Sequence, residues 1–262
     1  MSCAIHSVGL RFDYPNGDPG LRGVDLQIEH GERVALLGPN GAGKTTFVMH
    51  LNALLHGAGK LEVAGLVVGE APVHELRGRV GLVFQDPDDQ LFMPSVREDV
   101  AFGPLNLGLE RDEVGACVLE ALSSVRMEGA IDRAPYQLSA GERRRVAIAS
   151  VLAMRPRLLV LDEPSANLDP RARRELLEVL AEIDRTMLIT THDLPLAAEF
   201  CERAVIMSAG RIAADGDCAT LLGDEDLLAE HDLELPAGFD PARVQLMGRP
   251  RPGSVAPAAL GQ

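Results

Sequence analysis

The segment GPNGAGKT at residues 38–45 constrains the fold of this chain more than any other feature. It fits the pattern G-x-x-x-x-G-K-[ST], in which backbone N–H groups of a glycine-rich loop surround phosphate groups. The apolar run RVALL at Arg33–Leu37 precedes it and predicts a buried strand. A helix is predicted over about residues 43–55. This order of strand, glycine loop and helix predicts a nucleotide-binding loop, with the helix N-terminus directed at the phosphates.

Within this loop, Lys44 is expected to contact the β- and γ-phosphates of ATP, and the Thr45 hydroxyl is expected to coordinate Mg²⁺. The lysines of the chain are Lys44 and Lys60, whereas arginine supplies its other basic positions. A compact ammonium fits a tight phosphate cradle better than a planar guanidinium does, which favours a functional loop over a chance glycine turn. The predicted nucleotide-binding residues here are Gly38, Pro39, Asn40, Gly41, Ala42, Gly43, Lys44, Thr45 and Thr46.

A second apolar run, LLVLDE at residues 158–163, predicts a buried strand that ends in two carboxylates. Asp162 is placed to hold Mg²⁺, directly or through water, and Glu163 to polarise the water that attacks the γ-phosphate. By itself the run fits a strand that simply ends in polar residues. Its occurrence in the same chain as the glycine loop favours the catalytic interpretation.

The segment LSAGE at residues 138–142 precedes an apolar-periodic helix. Ser139 and Glu142 fit the S-x-x-E capping box, which is a common helix start and needs no further function. A helix N-terminus is also an anion-binding site, so these residues by themselves leave both interpretations open.

Strands alternate with helical segments along most of the chain and predict an α/β fold with a mainly parallel sheet flanked by helices. Residues 3–12 and 24–28 predict an antiparallel β subdomain, and residues 95–153 a helical subdomain. We expect one domain over residues 1–222 and a C-terminal extension over residues 223–262. The chain is rich in Pro, Gly and Ala after about Leu235, which predicts disorder in the last part of that extension.

Charge and composition exclude several classes of protein. The formal net charge of −14 argues against nucleic acid as the main partner, since phosphate backbones attract basic surfaces. The four cysteines are scattered, with no C-x-x-C, and therefore predict neither a disulfide framework nor a zinc site. No apolar run approaches the ~20 residues of a membrane-spanning helix. We expect a peripheral protein on the cytoplasmic face of the cell membrane.

Together, the motifs GPNGAGKTT, Gln85, LSAGE, LLVLDEPSANLD and His192 stand in an order that resembles the ATP-binding subunit of ABC transporters. The resemblance covers about residues 3–222 and implies a P-loop ATPase core with a helical signature subdomain. It also implies a head-to-tail dimer, in which Ser139 and Gly141 of one subunit contact the nucleotide held by the other. Ala140 and Glu142 depart from the commoner LSGGQ, and Glu142 is expected to contact the nucleotide.

The same resemblance assigns further site residues. Tyr14 corresponds to the aromatic residue that stacks on adenine, although a half-buried strand tyrosine explains it nearly as well. Gln85 corresponds to the glutamine that senses Mg²⁺ and the attacking water, and His192 to the histidine that contacts the γ-phosphate. Asp169 matches a loop aspartate at the dimer interface, but its role as a helix N-cap is a sufficient explanation. The expected catalytic residues are thus Lys44, Gln85, Glu163 and His192.

The stretch FQDPDDQLFMPSVREDVAFGPLNLGL at residues 84–109 resembles the ATPases of energy-coupling-factor importers, including cobalt and nickel uptake systems. This resemblance implies that residues 85–90 form part of a groove for coupling helices of integral membrane subunits. Asp86, Asp88 and Asp89 either meet arginines there or form a solvated acidic turn. The expected function is ATP-driven import of cobalt, nickel or a vitamin, with the membrane subunits selecting the substrate.

The sequence also bears on two other functions. A soluble ABC ATPase of DNA repair, chromosome organisation or translation usually carries a coiled coil, a zinc module or a second ATPase domain. The short stretch between Gln85 and Ser139 has none of these features. A regulatory subunit without hydrolysis is disfavoured because Lys44, Asp162, Glu163 and His192 are all present. The complete set of motifs favours a homodimer, although a heterodimer with a related ATPase fits as well.

Overall fold

The structure is a computed structural model that describes residues 3–248 of the chain. Its strands, in chain order, are β1 (Ile5–Asp13), β2 (Pro19–Ile28), β3 (Arg33–Leu37), β4 (Ala58–Val63), β5 (Leu66–Val67), β6 (Val80–Val83), β7 (Leu158–Asp162), β8 (Thr186–Thr191), β9 (Arg203–Ser208) and β10 (Arg211–Asp217). Its α-helices are α1 (Lys44–Leu51), α2 (Val73–Arg79), α3 (Val96–Asn106), α4 (Arg111–Ser124), α5 (Ala140–Leu152), α6 (Pro170–Glu182), α7 (Leu194–Phe200), α8 (Cys218–Leu222) and α9 (Glu225–Glu230).

The central sheet has six strands in the order β10-β9-β3-β8-β7-β6, and all of its pairs are parallel except β10 with β9. Alternate residues of β3 enter separate cores: Val34 and Leu36 pack on one face of the sheet, Ala35 and Leu37 on the other. This alternation follows from the period of two in a strand. The sheet is covered on both faces, as its apolar strands require.

The second sheet is antiparallel, with strand order β2-β1-β4-β5. Apolar side chains from β1 and β2, among them Ile5 and Val24, share a core with Phe47 and Leu51 of α1. The glycine loop that precedes α1 is therefore close to the antiparallel sheet. The predicted mainly parallel sheet and the predicted antiparallel subdomain are both observed.

Helices α3, α4 and α5 form the helical subdomain expected within residues 95–153. Ser95 caps α3 by accepting a hydrogen bond from the Glu98 backbone N–H at 3.3 Å. Val100, Val118 and Val146, one from each helix, are buried in the core on this side of the sheet. The subdomain is thus packed onto the sheet through the helix α5 that follows LSAGE.

Some element boundaries differ from the predictions. Helix α1 ends at Leu51 and not near residue 55, since Ala53 has φ +50° and the helix does not continue through a left-handed residue. The prediction omitted α2, α7, α8 and α9, which have five to seven residues each. Helices this short show too little periodicity to be recognised in a sequence.

The C-terminal extension packs against the domain over its described part. Leu228 and Leu233 are buried in the main core, and Phe239 and Val244 contact it. The expectation of disorder after about Leu235 is therefore wrong as far as residue 248, because apolar side chains within the Pro- and Gly-rich stretch reach the core. The rest of the predicted disordered tail, residues 249–262, lies outside the described residues. Over residues 3–248, no helix is long and apolar enough to cross a membrane.

Candidate nucleotide-binding site

Parallel strands bring the predicted site residues to one edge of the central sheet. Leu37 at the end of β3 pairs with Thr191 of β8, and Asp162 at the end of β7 pairs with Thr190 of β8. The glycine loop, Glu163 and His192 follow these strand ends directly. The carboxyl ends of parallel strands are the usual place for ligands in α/β sheets, because the chain leaves each strand there in a loop.

Close backbone contacts shape the glycine loop between β3 and α1. A Cβ atom on Gly38, where φ is +150°, would lie 2.2 Å from the Met207 carbonyl oxygen. A Cβ atom on Gly43, where φ is +104°, would lie 2.9 Å from the Gly20 carbonyl oxygen. Side chains are excluded at both positions, so the loop leaves its backbone N–H groups accessible to an anion before α1 begins at Lys44.

The Lys44 side chain folds back over this loop. Its Nζ donates hydrogen bonds to the carbonyl oxygens of Gly38 at 2.7 Å and Pro39 at 3.2 Å, and lies 4.0 Å from Glu163 Oε1. Burial lowers the pKa of the Lys44 ammonium, whereas the Glu163 and Asp162 carboxylates act against that shift. A buried ammonium surrounded by oxygen atoms is placed to neutralise phosphate charge.

Of the three predicted metal-binding residues, Thr45 and Asp162 are adjacent, and Gln85 lines the same cavity as Thr45. Thr45 Oγ1 donates a hydrogen bond to Asp162 Oδ2 at 3.1 Å, and Thr190 Oγ1 donates to the other oxygen of the same carboxylate. Hydroxyl and carboxylate oxygens are the hard ligands that Mg²⁺ selects, and this cation usually keeps several waters and takes only one or two carboxylates from the protein. The donor set therefore fits Mg²⁺. Thr190, which orients Asp162, lies within the buried strand β8, and no sequence signal marks it as a site residue.

Glu163 is buried between the side chains of Lys44 and His192. Its Oε2 accepts a hydrogen bond from the His192 backbone N–H at 3.4 Å and lies 2.9 Å from His192 Nδ1, while its Oε1 faces Lys44. The Glu163 backbone N–H is shared between the carbonyl and hydroxyl oxygens of Thr190, both at 3.1 Å. Its φ of +47° is unusual for a residue with a side chain and directs the carboxylate towards Lys44 and His192.

A cavity of about 380 Å³ unites most of the predicted residues. Gln85, Glu163 and His192 line it, and Tyr14 lies at its edge with its hydroxyl 2.6 Å from Thr46 Oγ1. Pro19 and Gly20 of β2 also line it, and no sequence signal marked them. The complete lining is Tyr14, Pro19, Gly20, Asn40, Gly41, Ala42, Gly43, Lys44, Thr45, Thr46, Gln85, Glu163 and His192.

The signature residues lie outside this cavity. Ser139 caps α5: its Oγ accepts from the Glu142 backbone N–H at 3.3 Å, and its own N–H donates to Glu142 Oε2 at 2.7 Å. The Ser139 backbone N–H and hydroxyl lower the pKa of the Glu142 carboxyl, as does Arg133, 3.4 Å away. A Cβ atom on Gly141 would lie 2.9 Å from Ala172 Cβ. The capping box is thus formed, and its residues do not contact the glycine loop of the same chain.

A groove of about 610 Å³ lies beside residues 85–90, between the helical subdomain and the pair α2 and β6. Gln90 and Asp99 line it together with Phe92 and Phe102, whose rings meet edge to face at 5.0 Å between centroids. Phe92 is 62% exposed, which is high for a large apolar residue. Exposed aromatic side chains beside a groove are typical of a surface that binds another protein.

Comparison with known proteins gives the following relatives. A protein-family model described as ABC transporter matches residues 21–166. A relative from Streptomyces coelicolor, described as an ABC transporter ATP-binding protein, is 60% identical over 241 residues, which cover 92% of this chain and 93% of that protein. The energy-coupling factor transporter ATP-binding protein EcfA of Methanothermobacter thermautotrophicus is 46% identical over 237 residues, which cover 88% of this chain and 76% of EcfA.

Solved structures with the same fold include cbiO1 of Clostridium perfringens, part of the ABC transporter complex cbiONQ. It has a TM-score of 0.78 and 34% identity, covering 90% of this chain and 97% of cbiO1. A dimeric ATP-binding cassette in a post-hydrolysis state, bound to ADP and phosphate, has a TM-score of 0.72 and 25% identity, covering 82% of this chain and 98% of that one. The predicted fold class is confirmed by these similarities.

Proposed function

We propose that this chain, which belongs to the ABC transporter family of ATP-binding proteins, powers import of a micronutrient through integral membrane subunits of the energy-coupling-factor type. The family resemblance predicted from the motifs is confirmed, and with it the activity of an ATPase subunit. The importer type is supported by the similarity to EcfA and cbiO1. The residues and partners assigned below are inferred from the geometry of the site.

The observation that carries the assignment is the position of the Glu163 carboxylate. It is 6% exposed, lies at the wall of the cavity, and is held between Lys44 and His192. A carboxylate fixed in this way accepts a proton from a water molecule as that water attacks the γ-phosphate. His192, whose side chain is 64% exposed, orients Glu163 and would contact the γ-phosphate of a bound ATP from the same edge of the sheet.

The loop N–H groups and Lys44 would bind the phosphates, and Thr45 with Asp162 would hold Mg²⁺. When bound, Mg²⁺ neutralises charge on the β- and γ-phosphates. Thr190 keeps the Asp162 carboxylate oriented towards Thr45, and Gln85 reaches into the cavity near Glu163. The chain supplies mainly position and charge compensation, which is the usual source of catalysis in phosphoryl transfer.

The second half of the site comes from another copy of the chain in this proposal. Within residues 3–248, the cavity is lined without Ser139, Gly141 or Glu142. These residues stand at the N-terminus of a 13-residue helix, where N–H groups and the helix dipole favour an anion. A head-to-tail homodimer would bring this helix end to the nucleotide on the partner, and the similar ATP-binding cassette bound to ADP and phosphate is dimeric.

The groove beside residues 85–90 is the proposed contact with the membrane subunits. Its exposed Phe92 and Phe102 suit an apolar helix face, and Asp89 at its margin suits a basic residue. This contact would hold the chain at the cytoplasmic face of the membrane. The substrate would be a cobalt or nickel ion or a vitamin, selected by the membrane subunits.

Purification of the tagged chain from membranes of the organism that encodes it tests this function. We expect integral membrane proteins to co-purify, and Phe92→Arg to release them because it places a charge among the groove's aromatic residues. Leu119→Arg is the matched control, since Leu119 is 56% exposed on α4 and does not line the groove. Recovery of the wild-type chain without membrane proteins, or bound to nucleic acid, would contradict the proposal.

A further inference from the structure

Arg144 joins the signature helix α5 to the segment that carries Gln85. Its Nη1 donates a hydrogen bond to the Phe84 carbonyl oxygen at 2.9 Å, and its Nη2 donates to the Gln85 carbonyl oxygen at 2.6 Å. These consecutive carbonyls lie where the chain leaves β6, which ends at Val83. One planar guanidinium therefore binds the carbonyl groups on both sides of the Gln85 Cα atom.

Arg144 is buried, so its two hydrogen bonds to the Phe84 and Gln85 carbonyls are needed to compensate for the water that its guanidinium has lost. Arg144 is 2% exposed, and a guanidinium removed from water is unfavourable unless charged or polar groups compensate it. Burial lowers the pKa of Arg144, and Asp86 and Asp162 act against that shift. Lysine cannot replace this arrangement, because a single ammonium lacks the planar fork that reaches two carbonyls at once.

Further contacts join α5 to the segment of residues 84–90. Arg143 Nε lies 3.3 Å from Asp88 Oδ1. Gln90 Nε2 donates to the Ala147 carbonyl oxygen at 2.7 Å and to Ser150 Oγ at 2.9 Å. The segment is thus bound to α5 near its start, middle and end, so a displacement of α5 relative to the sheet would carry the segment with it.

Gln85 connects this arrangement to the chemistry. Its side chain lines the nucleotide cavity, while its carbonyl is bound by a helix whose first turn contains Gly141. We infer that Arg144 is a positioning residue, which places Gln85 in the nucleotide site according to the orientation of the signature helix. A change in the tilt of α5, produced by the second subunit or by a partner in the groove, would then move Gln85 relative to the bound nucleotide.

This inference rests on the proposed role of Gln85 in sensing Mg²⁺ and the attacking water. The test compares Arg144→Met with Arg145→Met in the full chain. Arg145 lies on the same helix but pairs with Glu175 at 2.9 Å, away from residues 85–90. We expect Arg144→Met to lower kcat about 10–100-fold, the range for a misplaced catalytic group, with KM for ATP changed less than about threefold. In Arg144→Met, the Mg²⁺ concentration for half-maximal turnover should rise. Arg145→Met should change neither kcat nor this Mg²⁺ concentration.

A double-mutant cycle with Gln85→Ala separates positioning from general structural damage. If Arg144 acts through Gln85, adding Arg144→Met to Gln85→Ala lowers kcat little further, within about twofold, because the group that it positions is already absent. An equal loss of kcat on adding Arg144→Met to the wild type and to Gln85→Ala would overturn this inference. Wild-type turnover in Arg144→Met would do the same. Neither result would contradict the role proposed for Gln85. Wild-type turnover in Gln85→Ala would overturn the role proposed for Gln85 and this inference with it. Should Arg144→Met not fold, Arg144→Lys is used in the same cycle.

Discussion

Glu163 shows how a single residue is adapted to its task. Its φ of +47° places it in the left-handed region, which costs on the order of 1–3 kcal/mol for a residue with a side chain. The two contacts of its N–H with Thr190 and the hydrogen bond from the His192 backbone N–H to its carboxylate hold this conformation. This unfavourable backbone conformation turns the Glu163 carboxylate into the cavity immediately after β7. An extended continuation of the strand would not do so.

Glu163→Gln is expected to lower ATP turnover by about 10²–10⁴-fold, the usual range for loss of a general base, while ATP binding is retained. Glutamine keeps the size of the side chain and an oxygen that accepts from His192, but it is too weak a base to take the proton of water. Steady-state ATPase assays and titration with a fluorescent ATP analogue measure the two effects. Glu178→Gln, at an exposed position beside Arg126, is the control.

Wild-type turnover in Glu163→Gln would exclude Glu163 as the base.

In Glu163→Gln, unhydrolysed ATP should hold two copies together, so sedimentation with Mg²⁺ and ATP should show twice the mass of the free chain. A single mass with and without ATP would contradict the proposed homodimer.

Asp99 is a buried carboxylate whose ionisation opposes folding. Its Oδ1 accepts hydrogen bonds from the Phe92 and Met93 backbone N–H groups, each at 3.0 Å, but burial raises the pKa of the carboxyl. The folded state therefore holds this proton more tightly than the unfolded chain does. It follows that the contribution of Asp99 to stability is most favourable at low pH and decreases as pH rises through the raised pKa.

Asp99→Asn is accordingly expected to increase the free energy of unfolding at neutral pH relative to the wild type, because asparagine keeps an acceptor oxygen without the buried charge. The difference should shrink as the pH is lowered and the wild-type carboxyl becomes protonated. Urea unfolding of both proteins over a pH series measures it. A difference that does not change with pH would show that the charge of Asp99 is not its cause.

At the scale of elements, the start of α3 depends on Ser95. Besides accepting from the Glu98 N–H, its hydroxyl donates to the Glu98 carboxylate at 2.8 Å. Ser95→Ala removes the acceptor and should lower the free energy of unfolding by about 0.5–2 kcal/mol, the usual cost of a lost N-cap. Ser95→Thr keeps a hydroxyl and should change stability less. Equal stability of all three proteins in urea would mean that water replaces the cap at no cost.

The elements differ in how well the sequence predicts them. Strands β3, β7 and β8 are short apolar runs buried along their whole length, and each was predicted within a few residues. The short helices α7 and α8 were missed because most of their stability comes from packing on the sheet, not from their own residues. Helix α5 was predicted from its capping box, but the contacts of Arg144 on that helix were not.

At the scale of the whole molecule, Arg33 links the first part of the chain to the last. Its guanidinium donates to the Met247 carbonyl oxygen at 3.2 Å and the Ala181 carbonyl oxygen at 2.9 Å, and lies 4.7 Å from the centre of the Phe200 ring. Arg33 is 2% exposed at the start of β3. The C-terminal segment is therefore bound to the same strand that leads into the glycine loop.

Arg33→Met is expected to weaken this segment and to lower the free energy of unfolding by about 1–3 kcal/mol, since buried carbonyls lose their donors. The Met247 N–H, which donates to the Glu199 carbonyl oxygen at 2.8 Å, should exchange with solvent faster than in the wild type. Urea unfolding measures the change in stability, and hydrogen exchange with mass spectrometry measures the protection of the Met247 N–H. Arg174→Met, at an exposed position on α6, is the control, and equal protection of Met247 in both variants would contradict the role of Arg33.

The amino-acid sequence alone establishes the α/β class, the glycine loop and the order of the motifs, since glycine stereochemistry, helix caps and the periods of strands and helices act over a few neighbouring residues. It also pointed to Asp162, Glu163 and His192, because each directly follows or ends an apolar run. The groups that hold these residues in place become visible in the folded chain. Thr190 orients Asp162, Arg144 holds the Gln85 backbone and Arg33 binds Met247. Such contacts join segments far apart in the chain, and the way in which the core packs determines which distant groups meet.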